Sequence, residues 1–220
     1  MQVHLGPSFD RLRPGPPLAA VLALLLVGQD LVLAARGASY PVRLVPAVLL
    51  LGVFLLLEGR GPAPLGLRAR PVQGWRWWVR ATALLAGGMV VLMALGAAVL
   101  ALAGRELPTA RLFQEPADFG PWALAACVWA PVAEELVYRF ALVLPALRWL
   151  GGWGAVLLSG AVFAGLHFAY GTAGLDNFFA GYVLGWAYLR SGCLLVPVAL
   201  HALGNLAVGL LHLGLCLFAG

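Results

Sequence analysis

Seven apolar runs parted by short polar loops leave this 220-residue chain few folds to choose from. A backbone in hydrocarbon must satisfy every N–H and C=O internally, so it crosses as helices of roughly 20 mainly apolar residues. The runs cover 17–35, 40–57, 79–103, 121–144, 153–170, 177–189 and 193–218, the last long enough for one tilted helix. Hydrophobic residues make up 62% of the chain and charged ones 10%, too few charges to cover a soluble domain of this length. The predicted fold class is therefore all-α: a polytopic transmembrane helix bundle of about seven spans. No internal repeat or low-complexity tract divides it, so 1–220 reads as a single integral membrane domain. No small-residue cleavage site follows the first run, which is expected to stay as a span.

The basic residues are arginines without exception, and the net charge is +5. They are spread over short loops, the pattern of a topology signal and not of a nucleic-acid surface. Nine flank the N-terminus and the loops after runs two, four and six, and four flank the opposite loops. That asymmetry places the N-terminus in the cytoplasm. The arginine-only set points weakly to a bacterial host, hence to an inner (cell) membrane. Trp75, Trp77 and Trp78, interleaved with Arg76 and Arg80, read as an interfacial belt at the start of span three. Cys127, Cys193 and Cys216 lie in apolar runs with no CxxC spacing and read as small hydrophobes.

Ionisable groups in a bilayer cost about 2.5–3.5 kcal/mol each even on lenient scales, so those present are functional candidates by default. Asp30 and Arg43 lie near span ends, where snorkelling can rescue them. Pro131-Val-Ala-Glu134-Glu135-Leu-Val-Tyr138-Arg139 places three charges within two helical turns. Glu135 and Arg139 stand in the favourable order for an intrahelical pair, while Glu134 points about 100° away and shares its face with Tyr138. One carboxylate is thus neutralised and the other left for chemistry. Pro131 withholds a backbone donor and frees a carbonyl one turn earlier. Phe163 and His167 share a second helix face, and His201 and Asn205 a third. The last two can offer N–H donors to a developing oxyanion. Interhelical hydrogen bonding explains the same His and Asn equally well. His212, near the face of His201, reads as packing or interfacial.

In this order the motifs Glu134-Glu135-xxx-Arg139, Phe163-xxx-His167 and His201-xxx-Asn205 resemble the CPBP family, the CAAX prenyl protease and bacteriocin-processing glutamic intramembrane endopeptidases. The resemblance spans 121–208, and residues 1–120 add N-terminal spans without a diagnostic motif. It implies an active site between three helices of the C-terminal half. It implies Glu134 as the base that takes a proton from water, with His167 holding and polarising that water. His201 and Asn205 would stabilise the oxyanion, and Glu135, Arg139, Phe163 and Tyr138 would support them. On this reading the enzyme is a peptide hydrolase that needs no metal or other cofactor. Its partners are the lipid bilayer and a membrane-associated protein or peptide cut near the membrane, not nucleic acid.

A zinc-dependent site built on Glu134, His167 and His201 is the nearest alternative, although the chain has no HExxH. A serine protease would have only Ser159 in mid-span, and an aspartyl protease only Asp30. A non-catalytic scaffold, immunity or transport protein stays open too, because intramembrane carboxylates also serve ion and proton sites. The motifs name no substrate, whether prenylated tail, bacteriocin precursor or C-terminal sorting signal. One conflict accompanies the boundaries above. Glu134 falls roughly 20 Å from the outer start of span four, and His167 about 5 Å from the outer end of span five, at 1.5 Å per residue. Residues sharing a water require a shifted boundary, or a broken or displaced helix.

Overall fold

The structure, a computed structural model, describes residues 17–58, 65–105, 112–113, 115–169 and 175–218. Arg11, Arg13, Arg60 and Arg111, which entered the charge asymmetry, and Tyr170 lie outside the described residues. The described elements are helices α1 (Pro17–Ala35), α2 (Tyr40–Glu58), α3 (Trp75–Leu102), α4 (Phe119–Leu124), α5 (Ala130–Glu135), α6 (Val143–Ala169), α7 (Leu175–Ser191) and α8 (Leu195–Phe218). Wider π-helical turns, Ala125–Trp129 and Leu136–Ala141, join α4 to α5 and carry α5 on toward α6. Residues 119–141 therefore form one rod.

Within α6, Gly151 adopts φ 68° and ψ −179°, a left-handed setting that a side chain would strain. The chain turns there, so the rod ends at residue 150 and a new helix runs from 152 to 169. Counted this way, the described residues hold seven rods, one for each apolar run. Trp75–Leu102, Val143–Ala169 and Leu195–Leu217 are long and apolar enough to cross a membrane by length and composition, the second with its bend at Gly151. The chain is a helical membrane bundle.

Two departures from the predicted boundaries have local causes. Span four continues past 144 to 150, the helix carrying on through Pro145 until Gly151 turns the chain. The third helix begins at Trp75 instead of 79, after Gly74 at φ 77°. The tryptophan belt is split as a result. Trp75 and Trp77 are exposed, but Trp78 is buried against Trp186, Ala187, Cys193 and Val196. That patch anchors the base of α3. Higher up, α3 presents Leu84, Val90 and Leu102 outward, as a lipid-facing helix does.

Small residues set the tightest helix contact. A Cβ on Gly181 would lie 2.9 Å from the Gly160 carbonyl oxygen, and one on Gly160 would lie 2.4 Å from the Tyr182 ring. Such close approach is how membrane helices gain van der Waals contact when lipid offers no hydrophobic drive. Along the other side, α8 runs antiparallel to α4 and α5. Gly209 receives the Trp122 ring, where an added Cβ would sit 2.1 Å from it. The α1–α2 hairpin packs on α5 and the π turn that follows it.

Candidate active site

Pro131 explains much of the local geometry around Glu134 and Glu135. A proline inside a helix removes one donor, and the chain accommodates it by widening the preceding turn: the Ala130 N–H bonds the Ala125 carbonyl, five residues back. In that register residue 131 would serve the Ala126 carbonyl, and proline has no N–H to give. Asn205 Nδ2 on α8 donates to that same Ala126 oxygen at 2.6 Å. The freed carbonyl is thus Ala126 in the five-residue register, one residue earlier than an α-helical count gives. After the glutamates a second wide turn follows, with Leu142 N–H bonding Val137 O at 3.1 Å. Wide turns of this kind recur at functional sites because they re-aim side chains without ending the helix.

Glu135 is fully buried and its two oxygens are divided between helices. Oε2 lies 2.8 Å from Arg139 Nε, and Oε1 lies 2.9 Å from His201 Nδ1. Arg139 Nη1 donates to Ser159 Oγ at 2.8 Å, and Ser159 Oγ donates to the Tyr138 carbonyl at 2.9 Å. The guanidinium also stacks over Phe163, 4.9 Å from its centroid. Charges taken out of water need this degree of pairing, since an uncompensated one costs several kcal/mol. Ser159, the one mid-span serine, has its hydroxyl committed to this network.

Glu134 is outside that pairing. Its Oε2 lies 3.9 Å from His201 Nε2, beyond hydrogen-bond length. A carboxylate or a carbonyl oxygen only accepts, which puts a proton on Nδ1 of both imidazoles. His201 Nδ1 carries the proton that meets Glu135, so Nε2 is the atom turned toward Glu134. His167 Nδ1 lies 3.0 Å from the Phe163 carbonyl and must donate there, so in the neutral ring Nε2 is the accepting nitrogen. Phe163 ties the group together. Its ring centroid lies 4.4 Å from that of His167 and 5.8 Å from those of His201 and Tyr138. Residues of all three motifs therefore meet around one aromatic ring.

The depth conflict is settled by displacement. The helix after Gly151 runs antiparallel to the rod, with Ser159 opposite Tyr138 and Arg139. From that crossing Glu134 is about 8 Å along the rod and His167 about 12 Å along its own helix, in the same direction, at 1.5 Å per residue. They lie at similar levels, and the rod overruns the described end of α6 only before about residue 129. Among the described residues no three His, Cys, Asp or Glu side chains are arranged to share a metal ion.

The polar pair treated as snorkelling residues behaves otherwise. Asp30 is 2% exposed and takes a bidentate grip from Arg43, with Nε–Oδ1 and Nη2–Oδ2 both 2.8 Å. Tyr138 on the site helix donates its hydroxyl to Asp30 Oδ2 at 2.6 Å. The Arg43 guanidinium lies 4.8 Å from the Tyr40 ring centroid. Tyr138 thus faces the N-terminal hairpin. Sequence alone hid this ion pair because its members stand 13 residues apart on two helices, with no turn spacing to mark them.

Residues 116–207 match the family model described as Rce1-like, type II CAAX prenyl endopeptidase, a segment holding all three motifs. No curated protein and no solved structure matches the chain.

Proposed function

We infer, from membership of the Rce1-like family over residues 116–207, that this integral membrane chain hydrolyses a peptide bond with water activated by Glu134. The observation that carries the reading is the division of labour between adjacent carboxylates. Glu135 is consumed by Arg139 and His201, while Glu134 lies beside His201 Nε2 and makes no ion pair with an arginine among the described residues.

In the reaction, Glu134 takes one proton from water as its oxygen attacks the scissile carbonyl carbon. His167 Nε2 accepts a hydrogen bond from the same water and holds it in line. The tetrahedral oxyanion then forms close to His201 and Asn205. His201 has committed Nδ1–H to Glu135, so it donates to that oxygen from Nε2 only with a second proton, which Glu134 can pass to it. One Asn205 N–H is spent on Ala126 O, and its amide has a second to give. Collapse breaks the C–N bond as the shared proton passes to the amine, and the new carboxyl group, which keeps the water oxygen, gives the water's second proton to Glu134 and leaves as a carboxylate. No covalent intermediate and no metal take part.

The substrate is a membrane-associated protein or peptide cut near the bilayer surface, the N-terminus lies in the cytoplasm, and the host membrane is a bacterial inner membrane. A panel of tail-bearing membrane peptides tests this with purified protein. Cleavage by wild type, abolished in Glu134→Gln and strongly reduced in His167→Ala and Asn205→Ala, supports the reading. Equal cleavage by wild type and Glu134→Gln refutes it.

A further inference from the structure

The segment that matches the family begins at residue 116, so Asp30 and Arg43 lie well outside it. Stability alone does not account for two charges buried between apolar helices, because well-packed apolar residues of similar volume often serve as well or better. What an ion pair supplies is direction. Arg43 holds both carboxylate oxygens, Nε to Oδ1 and Nη2 to Oδ2 at 2.8 Å each, and so fixes the carboxylate plane. Oδ2 also accepts the Tyr138 hydroxyl at 2.6 Å, a short charge-assisted bond that fixes where the phenol ring stands. That ring meets Phe163 edge to face, with centroids 5.8 Å apart and planes at 85°. Phe163 lies in turn against His167, at 4.4 Å and 36°, and edge-on to His201 at 5.8 Å. Asp30, Tyr138 and Phe163 are all buried, so neither ring can turn without disturbing the next group in the series.

We propose that Asp30 is a positioning residue for His167: through Tyr138 and Phe163 it sets the tilt of the imidazole, and with it the direction of Nε2. The bond from Nδ1 to the Phe163 carbonyl holds one edge of that imidazole. The Phe163 ring lies against its face and decides the tilt. Arg43 acts one step further back, by holding the Asp30 carboxylate. The N-terminal hairpin thereby takes part in catalysis without touching the reacting atoms, and Asp30 and Arg43 have a reason to be buried in apolar spans. The catalytic consequence rests on the hydrolytic reading of the site, whereas the alignment of His167 does not.

The test uses the full chain in detergent and two independent changes. Tyr138→Phe keeps the ring against Phe163 and removes the hydroxyl, and it leaves Asp30 paired with Arg43, so no bare charge is created. Asp30→Leu/Arg43→Met replaces the ion pair with apolar side chains and leaves the hydroxyl without its acceptor. Two measurements run side by side: peptide cleavage, resolved into kcat and KM, and the NMR signal of the His167 Cε1–H in histidine-labelled protein, assigned with His167→Ala. Each change should lower kcat about tenfold, the scale of one hydrogen bond to a charged group, with KM held. Each should also move the His167 signal by more than its linewidth, because the face of Phe163 no longer lies against it in the same way. The triple variant should be no slower than the slower of the two, since both act through one hydroxyl. Wild-type kcat in Tyr138→Phe overturns the catalytic role, and an unmoved His167 signal overturns the alignment. Losses that multiply in the triple variant mean two separate routes and overturn the series. A wild type that cleaves nothing counts against hydrolysis and takes the catalytic role with it, while the His167 signal still decides the alignment.

Discussion

Replacing Arg139 with methionine isolates what the buried ion network is worth. Methionine keeps most of the aliphatic stem, so the volume change is small and the loss is mainly electrostatic. Removed with the guanidinium are the 2.8 Å contact to Glu135, the 2.8 Å hydrogen bond to Ser159 and the stacking on Phe163. Glu135, fully buried, keeps only His201 as a partner. Breaking a buried pair from one side costs about 3–5 kcal/mol, chiefly because a charge is left uncompensated. The double variant Glu135→Gln/Arg139→Met removes that charge while a side-chain oxygen still accepts from His201 Nδ1. Its cost should fall to about 1–2 kcal/mol, the scale of the hydrogen bonds lost. The coupling between the two sites is then about 2 kcal/mol or more, well above the additivity error for independent positions. SDS-driven unfolding in bicelles, followed by tryptophan fluorescence, measures all four corners of the cycle. A single Arg139→Met variant within about 1 kcal/mol of wild type would refute the argument. So would a double variant no more stable than the single.

Asn205→Leu leaves the Ala126 carbonyl unsatisfied and should cost about 1–3 kcal/mol. In a Pro131→Ala background the restored N–H can take that carbonyl, so the same substitution should cost measurably less; equal costs by the same unfolding assay would break the link between the proline and Asn205. Gly209→Ala drives a methyl into the Trp122 ring and should destabilise by about 1–3 kcal/mol, lowering cleavage as α8 shifts with His201 and Asn205. Unchanged stability and rate would show that α8 has slack there.

The bundle was legible in the sequence because apolar run length is a direct physical requirement of crossing a bilayer. The first helix, 17–35, coincides with its run, and Gly151 supplied the turn that separates the fourth rod from the fifth. The pairing of Glu135 with Arg139 was legible too, since turn spacing encodes it. What turn spacing does not encode stayed hidden. The Asp30–Arg43 pair and its link to Tyr138 join three helices, and the wide turns on either side of α5 left only Pro131 as a trace. Trp78 resembled its exposed neighbours in composition, but the start of the helix at Trp75 turned it inward. The surroundings of His201 and Asn205 are sharper in the structure than in the motif: each spends one donor on a neighbouring helix, on Glu135 and on the Ala126 carbonyl, and His201 is left with Nε2 toward Glu134.

The proposed hydrolysis stands or falls on whether Glu134, without a metal, activates the attacking water. Its most direct test is cleavage of a tail-bearing membrane peptide by protein stripped with a chelator, wild type beside Glu134→Gln. Chelation should leave the wild-type rate unchanged, and Glu134→Gln, folded and at the same level, should cleave nothing. Activity lost on chelation and restored by zinc, or cleavage retained in Glu134→Gln, would contradict it.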